Sequence, residues 1–270
     1  MNILVYGTVN SVVFALVAVG FTLVYGVSRL PNFAHGALYV LVGFLTWSLV
    51  NDFKLFYPLA ILISLGISSI LGALIYRLVL IRLRGLPTSE IIASFAVGLI
   101  ILEGLRLQGI GGFKGFIGPF YVLPSFIDAK IRMAGVLIDA QRLIVMLGGL
   151  AVVVSIWLFT HHTKTGLSLR AIAQDEQAAM MLGIDSDRAA IISLSIGSAL
   201  AGLAAVIILP LGNVTAEAGY RILINALAVC IIGGLGSWAG AVLASFVLGF
   251  AMIISTALFG SLWESVVLVG

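Results

Sequence analysis

The sequence predicts an all-α fold: a polytopic transmembrane bundle of about eight spans, with two interrupted helices and one short helix lying on the membrane face. Three observations carry that prediction. Of the 270 residues, 61% are hydrophobic and the mean hydropathy is +1.23, well above the roughly 45–50% apolar content of soluble domains. The apolar runs are long and unbroken, without the period-two alternation of a membrane β-barrel. In hydrocarbon each segment must satisfy its own backbone amides, so such runs are helices. Finally, charged residues are only 9% of the chain, yet six of them (Arg170, Asp175, Glu176, Asp185, Asp187 and Arg188) fall in "RAIAQDEQAAMMLGIDSDRAA", residues 170–190.

A span needs about 20 apolar residues. The opening "MNILVYGTVNSVVFALVAVGFTLVYGV" lacks the basic flank and small-residue cleavage site of a secretory signal peptide, so 5–27 is read as a retained first span. Further spans are expected at 36–50, 57–80, 90–105, 142–159 and 189–209. A short run at 222–234 is then interrupted by "GGLGSWAG" before a span at 239–258. The final run, "LWESVVLVG", is too short to cross a bilayer, so a last helix or tail is expected to be missing. The whole of 1–270 reads as one membrane domain. Loop charges leave its orientation open: with 160–190 inside, seven Lys and Arg residues fall on each side.

Two places read as helix interruptions. In "GVSRLPNFAHGALYV", Pro31 biases Leu30 away from helical geometry and Asn32 is placed to cap the next helix. In "IIGGLGSWAGAVL", Gly236 and Gly240 belong to the glycine-rich break. Unwound backbone at membrane depth is tolerated where it is buried in protein or lines a cavity. The candidate pathway residues are therefore Asn32 and His35 at the first break and Asn225 beside the second. For His35 the structural reading, a buried imidazole tying two helix segments together, outweighs substrate contact.

Small residues spaced four apart give two helices a smooth face for close backbone approach. One ladder is Ala189, Ser193, Gly197, Ala201 and Ala205; the other is Ser237, Ala241, Ser245 and Gly249. The single cysteine, Cys230, sits in an apolar run and reads as a small buried hydrophobe.

Several function classes lack their chemistry. The chain has no P-loop, no G-x-S-x-G and no H-E-x-x-H, and its three histidines (His35, His161, His162) are too scattered to form a metal site. A membrane enzyme is disfavoured. The net charge of +3 comes from scattered Lys and Arg residues, not a stripe suited to nucleic acid. Ion-coupled transport needs ionisable groups within the bundle. The candidates, Glu103 and Glu264, have no obvious partner nearby in sequence and are assigned to the membrane interface.

The charged stretch holds the most specific signal. A helix of about eight residues is expected from Asp175 to Leu182. Gln174 or Asp175 begins it, Glu176 and Gln177 suit its first turn, and Gly183 is a left-handed stop. Asp185 or Ser186 then caps the next span. Ala178 and Ala179 leave part of the helix bare, with Met180, Met181 and Leu182 supplying adaptable apolar contact. Residue types alone fit equally a helix seated in a groove on another protein and one resting on lipid headgroups.

"QAAMMLG", residues 177–183, resembles the E-A-A-x-x-x-G element of ABC-importer permeases, a cytoplasmic coupling helix that docks in a cleft of an ATPase subunit. Here Gln177 stands where many such permeases have glutamate. More narrowly, "TGLSLRAIAQDEQAAMMLGID", "FALVAVGFTLVYGVSRLPNFAHGALYVLVGF" and "IIGGLGSWAGAVLASFVLGF" are similar to the permeases of the branched-chain amino acid ABC importer family, in family order and over most of the chain.

The resemblance implies a multi-pass subunit of a bacterial inner membrane, working by alternating access with a coupling segment at about 161–188. Its implied partners are a second permease, homologous or identical, two ATPase subunits and a periplasmic solute-binding protein. The chain would carry no cofactor, ATP and Mg being bound by the partners. Branched-chain amino acids head the substrate list, with urea, short amides and other amino acids also carried in the family. The implied ATPase-coupling residues are Asp175, Glu176, Gln177, Ala178, Ala179 and Gly183; Ser193, Gly197, Ala201, Gly236 and Gly240 serve helix packing. The rival reading is a secondary carrier or channel working alone, for a small solute such as urea or an amide.

Overall fold

The computed structural model describes residues 2–106, 121–126, 129–133, 136–212 and 214–260. The terminal run "LWESVVLVG" and its Glu264 lie outside the described residues. Along the chain come α1 (Asn2–Ser28), α2 (His35–Asn51), α3 (Tyr57–Leu78) with a 3-10 turn at Leu80–Arg82, and α4 (Pro87–Arg106). An antiparallel hairpin is next, β1 (Lys130–Met133) pairing with β2 (Val136–Asp139) in the register Lys130↔Asp139. Then come α5 (Ala140–His162), α6 (Lys164–Gln174), α7 (Glu176–Met181), α8 (Ser186–Ile208), α9 (Ala216–Gly233) and α10 (Trp238–Phe259). Seven of these helices are long and apolar enough to span a bilayer, and α2 is a shorter apolar helix. With α2 they form the helical bundle that the sequence predicts. The hairpin is a small addition to an otherwise helical fold.

α1 is the hub. It packs against α5, α6, α8, α9 and α10, as suits a helix that is apolar all round. Both small-residue ladders face it. On α8, Ser193 Oγ donates to Leu23 O at 3.1 Å, and a Cβ added at Gly197 would lie 2.3 Å from Val24 Cγ2. On α10, a Cβ at Gly249 would lie 2.6 Å from the Ser11 backbone. Cys230 is buried, with Sγ 3.0 Å from Thr22 Oγ1, so α9 is tied to α1 as well. The periphery is inverted relative to a soluble protein: Leu62, Ile100, Leu147 and Leu258 are all exposed, a surface that only lipid or another apolar chain covers stably.

The first interruption lets α2 start deep in the bundle. His35, at the start of α2, lies against Val17 in the middle of α1. From there α2 climbs away from the Ser28 end, passing Leu209 and Val214 beyond the far end of α8. Its 17 residues at 1.5 Å each span about 25 Å. The unwound backbone at 32–35 is satisfied locally: Phe33 N donates to Ser94 Oγ at 3.2 Å and His35 N to Asn32 O at 3.2 Å. Asn32 differs from expectation in detail. Its Oδ1 accepts from Ala34 N at 3.1 Å, and the residue at the α2 N-cap is Ala34, without a side-chain cap. Asn32 therefore closes the turn ahead of the helix.

The second interruption is a tight reversal at Gly234–Ser237. Ser237 Oγ accepts from Gly240 N at 3.1 Å to start α10, and a Cβ at Gly240 would sit 1.7 Å from Gly233 O. Gly236 faces α1, its would-be Cβ 3.6 Å from Gly26 Cα.

Candidate functional site

The charged stretch forms a compact platform where α1, α3 and α8 meet at one end of the bundle. Thr163 caps α6, a helix that the sequence pattern leaves unmarked, by accepting from Gly166 N at 3.0 Å. Asp175 caps α7, its Oδ1 accepting from Ala178 N at 3.0 Å. Gly183 adopts φ +83° and its N donates to Met180 O at 2.9 Å, while Ile184 N reaches back to Ala179 O at 3.1 Å. That left-handed turn releases the chain from the helix at a residue without a Cβ. Asp185 then caps α8 by accepting from Arg188 N at 3.0 Å.

The faces of α7 are sharply divided. Outward stand Gln177, Ala178, Met180 and, most prominently, Met181 and Leu182 at 88% and 82% exposure. Gln177 makes no hydrogen bond among the described residues. Inward stands Ala179, 2% exposed. One helical step of about 100° turns Ala179 into the protein while Ala178 remains outside. Glu176 also turns inward, accepting from Arg84 and from Ser186 Oγ.

Arg84 and Arg29 are the site residues that sequence reasoning missed. Arg84, in the turn between the 3-10 helix and α4, donates to Glu176, Asp187 and Ser186, and Tyr76 Oη donates to Asp187 at 2.8 Å. Burial alone would favour losing the Arg84 proton; Tyr76, Glu176 and Asp187 outweigh it, so its pKa rises above the ordinary arginine value. Arg29, just after α1 and at φ 59°, donates to Ala173 O and, at 3.2 Å, to Gln174 O at the end of α6. A cation there complements the negative end of the α6 dipole. The compact "RLVLIRLRG" is visible in the sequence as charge, but its partners lie about a hundred residues away.

The pathway candidates do not form one cluster. Asn32 and His35 are buried, with His35 Nε2 3.3 Å from Val17 O and its ring edge-on to Phe21 at 5.7 Å. His35 thus joins the start of α2 to the middle of α1. Asn225 is half-buried on α9 and no hydrogen bond joins it to either. Thr46 Oγ1 and Ser64 Oγ, which nothing in the sequence marks, are buried without a partner among the described residues. Glu103 does have a nearby partner: Arg106 pairs with it at 2.7 Å and with Glu217 at 2.9 Å, at exposed positions.

Comparison with known proteins agrees with this architecture. The chain is 28% identical to the high-affinity branched-chain amino acid transport system permease protein BraD of Pseudomonas aeruginosa, covering 99% of this chain and 90% of that one. It is 25% identical to the permease protein LivH of the same kind of system from Salmonella typhimurium, over 94% and 85%. The solved structure of PsaBC from Streptococcus pneumoniae in complex with Fab shares the fold, with a TM-score of 0.51 at 15% identity, over 100% of this chain and 88% of that one. A family model described as branched-chain amino acid transport system, permease component, matches residues 3–270. The chain therefore belongs to the branched-chain amino acid transport system permease component family.

Proposed function

We propose that the chain is the permease subunit of a bacterial ABC importer for branched-chain amino acids, seated in the cytoplasmic membrane with α7 on the cytoplasmic side. It pairs with a second permease, related or identical, and α7 docks in a cleft of one of two ATPase subunits, which bind ATP and Mg. A periplasmic binding protein delivers the solute. ATP-driven closure of the ATPases moves α7, and helices around the α1 hub shift to change which side of the pathway is open.

The observation that carries the reading is the division of α7. Its inward side is anchored by Ala179 and Glu176, while Met181 and Leu182 project from a segment rich in charge. Adjacent exposed apolar side chains on a polar platform mark a binding surface, and methionine adapts to an apolar cleft. A carrier working alone gives this tip no role.

The test is copurification and uptake. Met181→Arg and Ala178→Arg change side chains that are exposed in the isolated chain, so each should leave the bundle folded, release the ATPases and abolish uptake of radiolabelled leucine. Normal ATP-dependent uptake in both variants, or leucine flux through the isolated chain in liposomes without ATP, would refute it.

A further inference from the structure

We propose that Arg84 is a positioning residue that carries the movement of α7 to the α3–α4 turn, so that a pull on α7 reaches helices to which it is not joined along the chain. This rests on the docking role of α7 proposed above. α7 is only six residues long, and the element it packs against extensively is α6. Along the chain it leads only to α6 and α8. Between it and the ends of α1, α3 and α4 lies a cavity of about 420 Å³ lined by Val27, Leu30, Tyr76, Arg84, Glu90 and Glu176. Ala179 packs α7 into the apolar core, and the Arg84 side chain, which lines the cavity, adds a polar tie from the α3–α4 turn to Glu176.

The network it makes there is closed. The guanidinium reaches Glu176 at the start of α7, and Ser186 and Asp187 at the start of α8. Ser186 Oγ donates to the same Glu176, and Tyr76 near the end of α3 donates to the same Asp187. Arg29 holds the other flank by binding the final carbonyls of α6. Taken singly, pairs with side chains 37–46% exposed contribute little to folding. Geometry is the better explanation for them, because a planar fork bridging two carboxylates fixes their relative position, which an ammonium group does not.

The experiment uses the assembled importer in proteoliposomes with its binding protein and radiolabelled leucine. Three quantities are read: ATPase retained on the permease, ATP hydrolysed, and leucine moved per ATP. Arg84→Ala should retain the ATPases, since Met181 and Leu182 are untouched, and should still hydrolyse ATP. Leucine per ATP should fall at least about fivefold, the low end of typical coupling between sites. Arg84→Lys, which keeps the charge without the fork, should fall between the two. Should Arg84→Ala fail to fold, Glu176→Gln removes the same ion pair and is expected to uncouple in the same way. Wild-type leucine per ATP in a folded variant, or full rescue by lysine, would overturn the proposal. Loss of the ATPases from Arg84→Ala would also overturn it, by assigning Arg84 to docking. If the unaltered permease retains no ATPase, the docking role of α7 fails instead.

Discussion

Replacing Gly249 by alanine tests whether α1 is packed at backbone contact. In an open helix the change is favourable, since alanine is the better helix former by about 1 kcal/mol. Here the added Cβ would lie 2.6 Å from both N and Cα of Ser11 and 2.4 Å from its Oγ. Ordinary contact begins near 3.4 Å, so the helices must part by about 0.8 Å. The obstacle is backbone and has no rotamer to give way. Overpacking of this kind costs typically 1–3 kcal/mol; taking the upper end and subtracting the helix gain leaves about 2 kcal/mol. For a chain of this size that lowers Tm by about 4–8 °C. Cys230 supplies the assay, because the sole cysteine is fully buried and a thiol-reactive fluorophore reports its exposure on heating. Gly66→Ala is the control, since nothing lies within 4 Å of its added Cβ, and should leave Tm unchanged or slightly raised. Equal Tm values for the two variants would refute the close-approach account.

Other contacts carry expectations of the same kind. Gly240→Ala brings a Cβ within 1.7 Å of Gly233 O and should lower Tm further than Gly249→Ala in the same fluorophore assay. Asp175→Ala removes the acceptor for Ala178 N; a lost cap of about 1 kcal/mol should speed amide exchange in α7 several-fold while α8 is unchanged, as read by hydrogen–deuterium exchange. His35→Leu removes the bond to Val17 O and should lower Tm by about 2–4 °C, the equivalent of one net hydrogen bond, without altering the leucine KM of the assembled importer.

What the sequence reveals here is what depends on local chemistry. Apolar runs mark the spans because each helix satisfies its own amides. Pro31 and the Gly234–Gly236 reversal mark the breaks, and Asp175, Gly183 and Asp185 mark the ends around α7, because caps and left-handed turns are made by residues a few positions apart. The depth at which α2 begins is not legible, since it depends on His35 meeting Val17 on another helix. Nor is the inward turn of Ala179, which alternation of residue types does not encode. The short α6 escapes notice because its amphipathic face is covered by α1 and α5, neighbours that only the fold supplies.

Arg84 shows why charge counts mislead in such a chain. Counted along the sequence, it is one of three arginines between Arg77 and Arg84, a basic flank of the sort that sets orientation. In the fold, Arg82 and Arg84 separate in role: Arg84 turns to the acidic starts of α7 and α8, whereas Arg82 makes no ion pair among the described residues. The same holds for the acidic side. Asp175 and Asp185 serve their own helices as caps, while Glu176 and Asp187, each close to a cap in sequence, serve the contact between helices. The four carboxylates at 170–190 therefore have two functions interleaved along the chain. One half starts the helices, and the other half fixes where the short helix stands relative to a turn about 90 residues earlier. Changing a cap should loosen α7 locally, and changing Glu176 should leave the helix formed but detached from α3 and α4.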